Sequence, residues 1–297
     1  MKTTKTFAPN WYNTYAIHFF RLILKHILPA SWFRSALPKV NERNAVDGFF
    51  KLEIVSHCWG YSNMLAYQLS SFINYPPKKC ALTVTVFYAK EDTKCQAVLD
   101  FFSQKKVENV TWNFQALPKE KLFRRAIGRN MVARSTDADW LWFTDCDIIF
   151  HENCLDSLAE QLQGKKEALY YPRQECTTEM LAQDDPMLRK DSEPQLVNID
   201  TAGFSLHSRD KAKGAFQIVH GDVARAIGYC DGLSIYQTLS EHWCKCYEDR
   251  EFRWLLGSEG VPLEVDGVYQ IRHVYKGRYK ENTFRSKLRS KIRRIQE

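Results

Sequence analysis

Two carboxylates one residue apart, Asp145 and Asp147, stand between apolar runs: Trp140-Leu141-Trp142-Phe143 before them and Ile148-Ile149-Phe150 after. The first run reads as a short buried strand. A carboxylate beside buried apolar residues loses hydration, and a pair of them needs a partner that offsets the loss. Mg²⁺ or Mn²⁺ is such a partner, because each takes hard oxygen ligands from one or two carboxylates and keeps positions for phosphate oxygens. In an open α/β sheet, ligands bind beyond the carboxyl ends of the strands, which is where Asp145 and Asp147 are expected. A solvated turn with two incidental aspartates is the competing reading, and a D-x-D pattern alone does not separate the two.

The elements that must position this pair alternate in type. Phe49–Ser56, Leu82–Tyr88 and Val110–Phe114 read as strands. Between them come a helix with Leu65, Leu69, Phe72 and Ile73 facing inward and Ser62 as its cap, and a second with Val98, Phe101 and Phe102. Lys119–Arg134 reads as one basic helix leading into the Asp145/Asp147 strand. This alternation predicts parallel pairing, so the expected fold class is α/β: a doubly wound, mostly parallel sheet with helices on both faces. A helix over Asn153–Gln163 and a strand over Ala168–Tyr171 follow, and then the regularity fails. Residues 172–198 are polar, contain Pro172, Pro186 and Pro194, and read as a long surface loop. Beyond it, Ile199–Leu206 is strand-like, Asp222–Ile227 a short helix and Thr238–Leu256 a longer one. Val261–Val274 reads as strands paired about an Asp266-Gly267 turn.

Of the 297 residues, 44% are hydrophobic and 26% charged, as in ordinary globular proteins. The net charge of +7 is unevenly placed. Residues 1–50 carry seven Lys/Arg against two Asp/Glu, and residues 276–297 nine against two, which leaves a mildly acidic middle. The expected division is a basic, amphipathic segment over 1–48, a main domain over 49–275 and a basic tail over 276–297. The nine cysteines include no C-x-x-C and no secretory signal precedes them, so they read as the reduced thiols of a cytoplasmic protein. No run of 18 apolar residues predicts a transmembrane helix. Ile17, Phe20, Leu24 and Ile27 recur at helical spacing with Arg21 and Lys25 on another face, which fits a helix packed on the domain or one lying on a membrane. Phe284, Leu288, Ile292 and Ile295 repeat that pattern amid Lys and Arg, so peripheral contact with the anionic inner face of the cell membrane is expected. The acidic middle offers no basic face, and no nucleic-acid partner is expected.

Four motifs occur in order: Leu52–Asn63, Gly128-Arg129-Asn130, Asp145-Cys146-Asp147, and Glu248-Asp249 with Arg253 four residues on. On these, from about Phe49 to Arg278, the chain resembles the GT-A type glycosyltransferases, close to family two, whose bacterial members build surface polysaccharides. Two departures stand out: the first loop, Ser56 to Ser62, lacks the usual proline, and His242 to Tyr247 replaces a Trp-Gly-Gly common in relatives. The resemblance implies a GT-A-like fold with a nucleotide-sugar half over 49–150, an acceptor half over 151–275 and a smaller acceptor-side subregion. It implies transfer of sugar from a nucleoside-diphosphate sugar, first of all a UDP-sugar, to a saccharide or lipid-linked acceptor, with inversion.

The family's chemistry explains why such groups are wanted. A departing diphosphate develops negative charge that Mn²⁺ or Mg²⁺ stabilises. By resemblance Asp145 and Asp147 are metal ligands, Asp145 also borders the substrate, and His273 is a third ligand that favours Mn²⁺. Asp249 is the base for the acceptor hydroxyl and Glu248 its holder, with an ion pair between Asp249 and Arg253 as the structural alternative. On the donor side the resemblance nominates His57, Asp92 with Glu91 as second choice, and Arg129 for the diphosphate; an exposed cation on a basic helix is the other reading of Arg129. Gln217 and Trp243 are nominated for the acceptor. Two further functions compete. A nucleotidyltransferase would need a glycine-rich loop after the first strand, where only Gly60 is found, and a non-catalytic binding protein could share the fold.

Overall fold

Seven of the eight residues of Phe50–His57 are buried, all but Lys51, as befits a strand covered on both faces. In the computed structural model, which describes residues 10–182, 185–188, 193–241, 243 and 247–274, this segment is β1. The other strands are β2 (Cys80–Tyr88), β3 (Val110–Ala116), β4 (Trp140–Phe143), β5 (Ile148–Phe150), β6 (Leu169–Pro172), β7 (Gln174–Thr178), β8 (Phe204–Ser208), β9 (Gln217–His220), β10 (Val261–Leu263) and β11 (Val268–Gln270). Seven of them form one sheet in the order β10-β6-β9-β4-β1-β2-β3. β4, β1, β2 and β3 run parallel, as do β10 and β6, while β9 is antiparallel to both neighbours. The fold is therefore mixed α/β around a mostly parallel sheet.

Side chains alternate across that sheet and so feed two cores. Leu52 and Ile54 of β1 and Trp140 and Trp142 of β4 pack with the helices Ser62–Asn74, Thr93–Ser103 and Cys154–Gln161. Val55, Leu141 and Phe143 pack on the other side with Arg125–Ser135, Gly221–Ile227 and Glu248–Leu256. Helices cover both faces, as the alternation of elements predicts.

A second sheet, ordered β5-β11-β7-β8, begins directly after Asp147. β11 pairs antiparallel with β5, and the Ile271 N–H then donates to the Asp147 carbonyl at 3.0 Å. This pairing returns a distant part of the chain, ending at His273, to the Asp145/Asp147 turn.

Several expectations are corrected. Residues 172–198 are not one loop, because β7 lies within them; its polar composition suits a strand with a mixed face. Asp266-Gly267 turns the chain without making a hairpin, since β10 and β11 belong to different sheets. Gly267 has φ of +64°, and a Cβ there would stand 2.4 Å from the Glu152 carbonyl oxygen, so glycine meets both demands. Among the described residues of the helix expected over Thr238–Leu256, Glu248–Leu256 are helical and 238–241 are not, and Ser234–Gln237 before them is a separate turn. Lys119–Arg134 divides at Arg124, whose extended ψ of 83° separates Lys119–Leu122 from Arg125–Ser135. Ser62 is the first helical residue rather than the cap, a position Tyr61 takes. No strand is expected at β9, which is too short to reveal a period.

The N-terminal pattern is half right. The helix Asn10–Phe19 widens over Phe20–Leu24, and such a turn rotates the face that follows. Ile17 and Phe20 are buried, yet Ile27 is exposed, and Arg21 and Lys25 point inward to the buried Glu251 at 3.6 Å each. The patterned tail over 276–297 lies outside the described residues. Among the described residues, no helix is long and apolar enough to cross a membrane.

Candidate functional site

The end of β4 is held from three directions. Thr144, fully buried, donates its N–H to the Val55 carbonyl at 2.9 Å and so continues the register of β1. Gln68, also fully buried, donates from Nε2 to the carbonyls of Asp145 and Ile148, both at 2.9 Å, and pins the two ends of the turn. The side chains of Asp145 and Asp147 then diverge. Asp145 Oδ1 accepts from Arg125 Nη1 at 2.6 Å and lies 3.5 Å from Arg129 Nη2. Asp147 Oδ2 lies 3.8 Å from His273 Nε2 and accepts from Gln270 Nε2 at 3.4 Å. Two of the three expected ligand side chains thus meet, while Asp145 is turned to the guanidinium groups. Asp147, directly before β5, and His273, just past β11, bring a carboxylate oxygen and an imidazole nitrogen together, donors of the kind Mn²⁺ takes, so these two residues could hold such an ion.

Arg125 is the residue the sequence concealed. Its Nε donates to Glu248 Oε1 at 3.0 Å while its Nη1 holds Asp145, so one guanidinium joins the D-x-D turn to the Glu248-Asp249 helix. In the run Arg124-Arg125 nothing marks it out; only its place one turn before Arg129 hints that both reach the same carboxylate. Arg129 is not the exposed cation of a basic face. It is 1% exposed, donates to the Tyr229 hydroxyl at 2.8 Å and the Thr144 carbonyl at 3.3 Å, and leans on the Phe143 and Tyr229 rings.

The donor-side nominees fare unevenly. His57 ends β1 as a buried ring against Phe87, and neither ring nitrogen has a hydrogen-bond partner among the described residues. Burial, then the nearby Arg129 and Arg125 charges, push its pKa well below the usual histidine value, so the ring is neutral. Asp92 is committed to backbone: Oδ1 caps the Thr93–Ser103 helix through the Cys95 N–H at 3.1 Å, and Oδ2 holds the Gly60 N–H at 2.6 Å. Glu91 beside it is exposed.

On the acceptor side, the neighbours Glu248 and Asp249 face different ways, as consecutive helical positions must. Glu248 is buried toward Arg125. Asp249 Oδ2 accepts from the Gly214 N–H at 3.1 Å, pairs with Arg253 Nη1 at 3.4 Å, and opens on a cavity of about 670 Å³ lined by Lys25, Lys211, Lys213 and Arg250. The ion pair offered as the alternative for Asp249 is therefore present. Gln217 is fully buried in β9; its Oε1 accepts from the Tyr229 hydroxyl at 2.8 Å and its Nε2 donates to the Asp249 and Ala212 carbonyls. It offers an incoming acceptor no edge, and it instead ties the Glu248–Leu256 helix to the sheet. Trp243 is partly buried, its ring edge-on to Phe123 at 5.8 Å between centroids.

No family model and no curated protein matches the chain. Among solved structures it is similar to the crystal structure of S. aureus TarS 1-349, at 11% identity and a TM-score of 0.41. The match covers 75% of this chain and 57% of that one, so the chain spans little more than half the length of the structure it resembles.

Proposed function

We propose that the chain is a metal-dependent glycosyltransferase of the GT-A type, similar to family two. In this reading it moves a sugar from a nucleoside-diphosphate donor, a UDP-sugar in the first instance, to a saccharide or lipid-linked acceptor with inversion, in the synthesis of surface polysaccharide or glycolipid. The observation that carries this reading is the convergence at the carboxyl end of β4, with Asp147 beside His273 and Asp145 joined through Arg125 to Glu248. Residues from separate motifs meet where an open sheet receives its ligands.

Asp147 and His273 would hold Mn²⁺ or Mg²⁺, and Asp145 would join them once Arg125 turns to the diphosphate. A divalent ion so held offsets the charge that develops on the leaving diphosphate. Arg125, about a quarter exposed, is the cation best placed to meet the same phosphates, with the buried Arg129 orienting Asp145 behind it. Residues 49–150 serve the nucleotide sugar, with His57 at the end of β1, and residues 151–275 serve the acceptor. Asp249 takes the proton of the acceptor hydroxyl, since it opens on the cavity while Glu248 is enclosed. The cavity's lysines and Arg250 suit an acceptor that carries phosphate, as lipid-linked acceptors do. Work on such an acceptor belongs at the cytoplasmic face of a membrane.

The test is turnover of UDP-sugars by the full chain with Mn²⁺ and with excess chelator, preceded by a screen of nucleotide sugars for Mn²⁺-dependent protection against thermal unfolding. Asp147→Ala should abolish turnover and leave the protein folded. Full activity in excess chelator removes the reading.

A further inference from the structure

Three cysteines from three separate elements meet beside the Asp145/Asp147 turn. Cys58 follows β1, Cys95 lies in the first turn of the Thr93–Ser103 helix, and Cys146 is the middle residue of the D-x-D sequence. All three are buried. The Cys58 thiol is within hydrogen-bond reach of both the Cys95 and the Cys146 thiols. Asp92, the cap of the same helix, joins them: the ligand atoms of Cys58, Asp92 and Cys95 all lie within 4.8 Å of one another. Cys80, Cys154 and Cys230 are as deeply buried and belong to no such group among the described residues. We propose that Cys58, Cys95 and Asp92 form a thiolate-containing site for a borderline-soft divalent cation of the Zn²⁺ class, distinct from the hard-cation position at Asp147 and His273, with Cys146 beside Cys58 but outside the set of mutually close ligand atoms.

The spacing suits the ion. Tetrahedral zinc with Zn–S bonds of about 2.3 Å sets neighbouring sulfurs roughly 3.8 Å apart, so Cys58, Asp92 and Cys95 need little movement to close on it, with water as the fourth ligand. Buried cysteines more often act as small hydrophobes, and that role asks for no carboxylate. Here the carboxylate is oriented in advance, since Asp92 accepts from the Cys95 N–H at 3.1 Å and the Gly60 N–H at 2.6 Å. Each of its oxygens keeps a lone pair for a metal. Asp92 is also only partly buried, which gives the ion a way in. On binding, two S–H bonds are exchanged for sulfur–metal bonds, the two protons leave to solvent, and no oxidation state changes. The ion would clasp the loop after β1 and the start of a helix to one another, beside the D-x-D turn. That clasp does not depend on sugar transfer, and failure of the transfer assay leaves it standing.

The test uses the full, reduced chain in a Cys244→Ser/Cys246→Ser background, titrated with Cd²⁺ and Co²⁺. One equivalent should bring up the thiolate charge-transfer band of Cd²⁺ and the tetrahedral d–d bands of Co²⁺, and should raise the thermal midpoint. Cys58→Ala or Cys95→Ala should remove the bands, whereas Cys176→Ala and Asp147→Ala should keep them. Should the cluster variants fail to fold, the rate at which the parent chain is alkylated with and without the metal decides instead: the metal should slow labelling of the buried Cys58 and Cys95 while Cys176 reacts at an unchanged rate. Absent bands, bands that survive both cluster variants, shielding confined to other cysteines, or a mass two hydrogens lower that marks a disulfide would each overturn the assignment.

Discussion

A carboxylate acts as a base only where an acceptor can reach it, and that criterion divides Glu248 from Asp249. Glu248 is 2% exposed and bonded to Arg125, whereas Asp249 opens on the basic cavity. Asp249→Asn keeps the shape and the Gly214 hydrogen bond but removes the proton acceptor, so turnover should fall by about 10²-fold or more with donor affinity nearly unchanged. Lost thermal stability with turnover intact would show Asp249 to be only the partner of Arg253. A second buried carboxylate gives a prediction for pH. Glu53 in β1 accepts from the Thr85 hydroxyl at 2.5 Å and the Thr136 hydroxyl at 2.6 Å. Burial raises its pKa above 4.5, and the two hydroxyls only partly restrain it. A carboxyl raised in the folded state favours folding most when protonated, so its contribution is full below 4.5 and is lost as pH climbs through the raised value. The thermal midpoint of Glu53→Gln, followed across that range, should lack this decline. Parallel curves for parent and variant would count against it.

Elements here are set by close approaches as much as by periodicity. Gly128 lets the Arg125–Ser135 helix lie against the end of β1: a Cβ there would stand 2.4 Å from His57 Nε2 and 2.8 Å from Phe87 Cδ2. Both rings are buried and packed against each other at a tilt, so neither yields cheaply. Gly128→Ala should therefore destabilise by about 1–3 kcal/mol in denaturant unfolding and shift Arg125 and Arg129, which the same helix carries. An unchanged midpoint would mean that the helix can retreat. The same contact shows what a sequence can reveal. β2 and β4 are legible because their branched and aromatic residues form unbroken runs, as buried parallel strands require, and β1 because Phe50, Leu52, Ile54 and Val55 still stand close together around Lys51 and Glu53. β9 and β7 are not, being four and five residues long with buried Gln217, Thr177 and Thr178 that mimic a loop. At the site, Asp145 and Asp147 stand out by type and spacing. The approach of His273 to Asp147 depends on β11 pairing with β5, a contact between remote segments that no local pattern encodes. Arg125 and Gln68 are hidden for the same reason: their importance lies wholly in which carboxylate and which carbonyls they touch.

At the scale of the whole molecule, one surface combines exposed apolar side chains with the mouth of the basic cavity. The N-terminal segment buries Ile17 and Phe20, and its Arg21 and Lys25 are drawn to Glu251, so it is anchored to the domain. Anchored this way, it turns Phe19, Leu22, Ile23 and Ile27 outward, and Trp32 follows close behind at 71% exposed. Lys25 and His26 of the same segment line the cavity onto which Asp249 opens. An apolar face bordered by cations suits the interface of an anionic bilayer, and there it would bring a phosphate-bearing acceptor to the cavity mouth. Flotation should therefore recover the chain with anionic vesicles far more than with neutral ones. Each large apolar side chain contributes on the order of 1–2 kcal/mol when buried, so Leu22→Ser with Ile27→Ser should weaken vesicle binding by about tenfold or more. Both positions are exposed, so the thermal midpoint should hold, which separates lost binding from lost fold. A chain ending at Lys280 measures what the basic tail adds, since two weak anchors on one body reinforce each other. Equal recovery with both vesicle types, or no loss in the double variant, would leave this face without a membrane role.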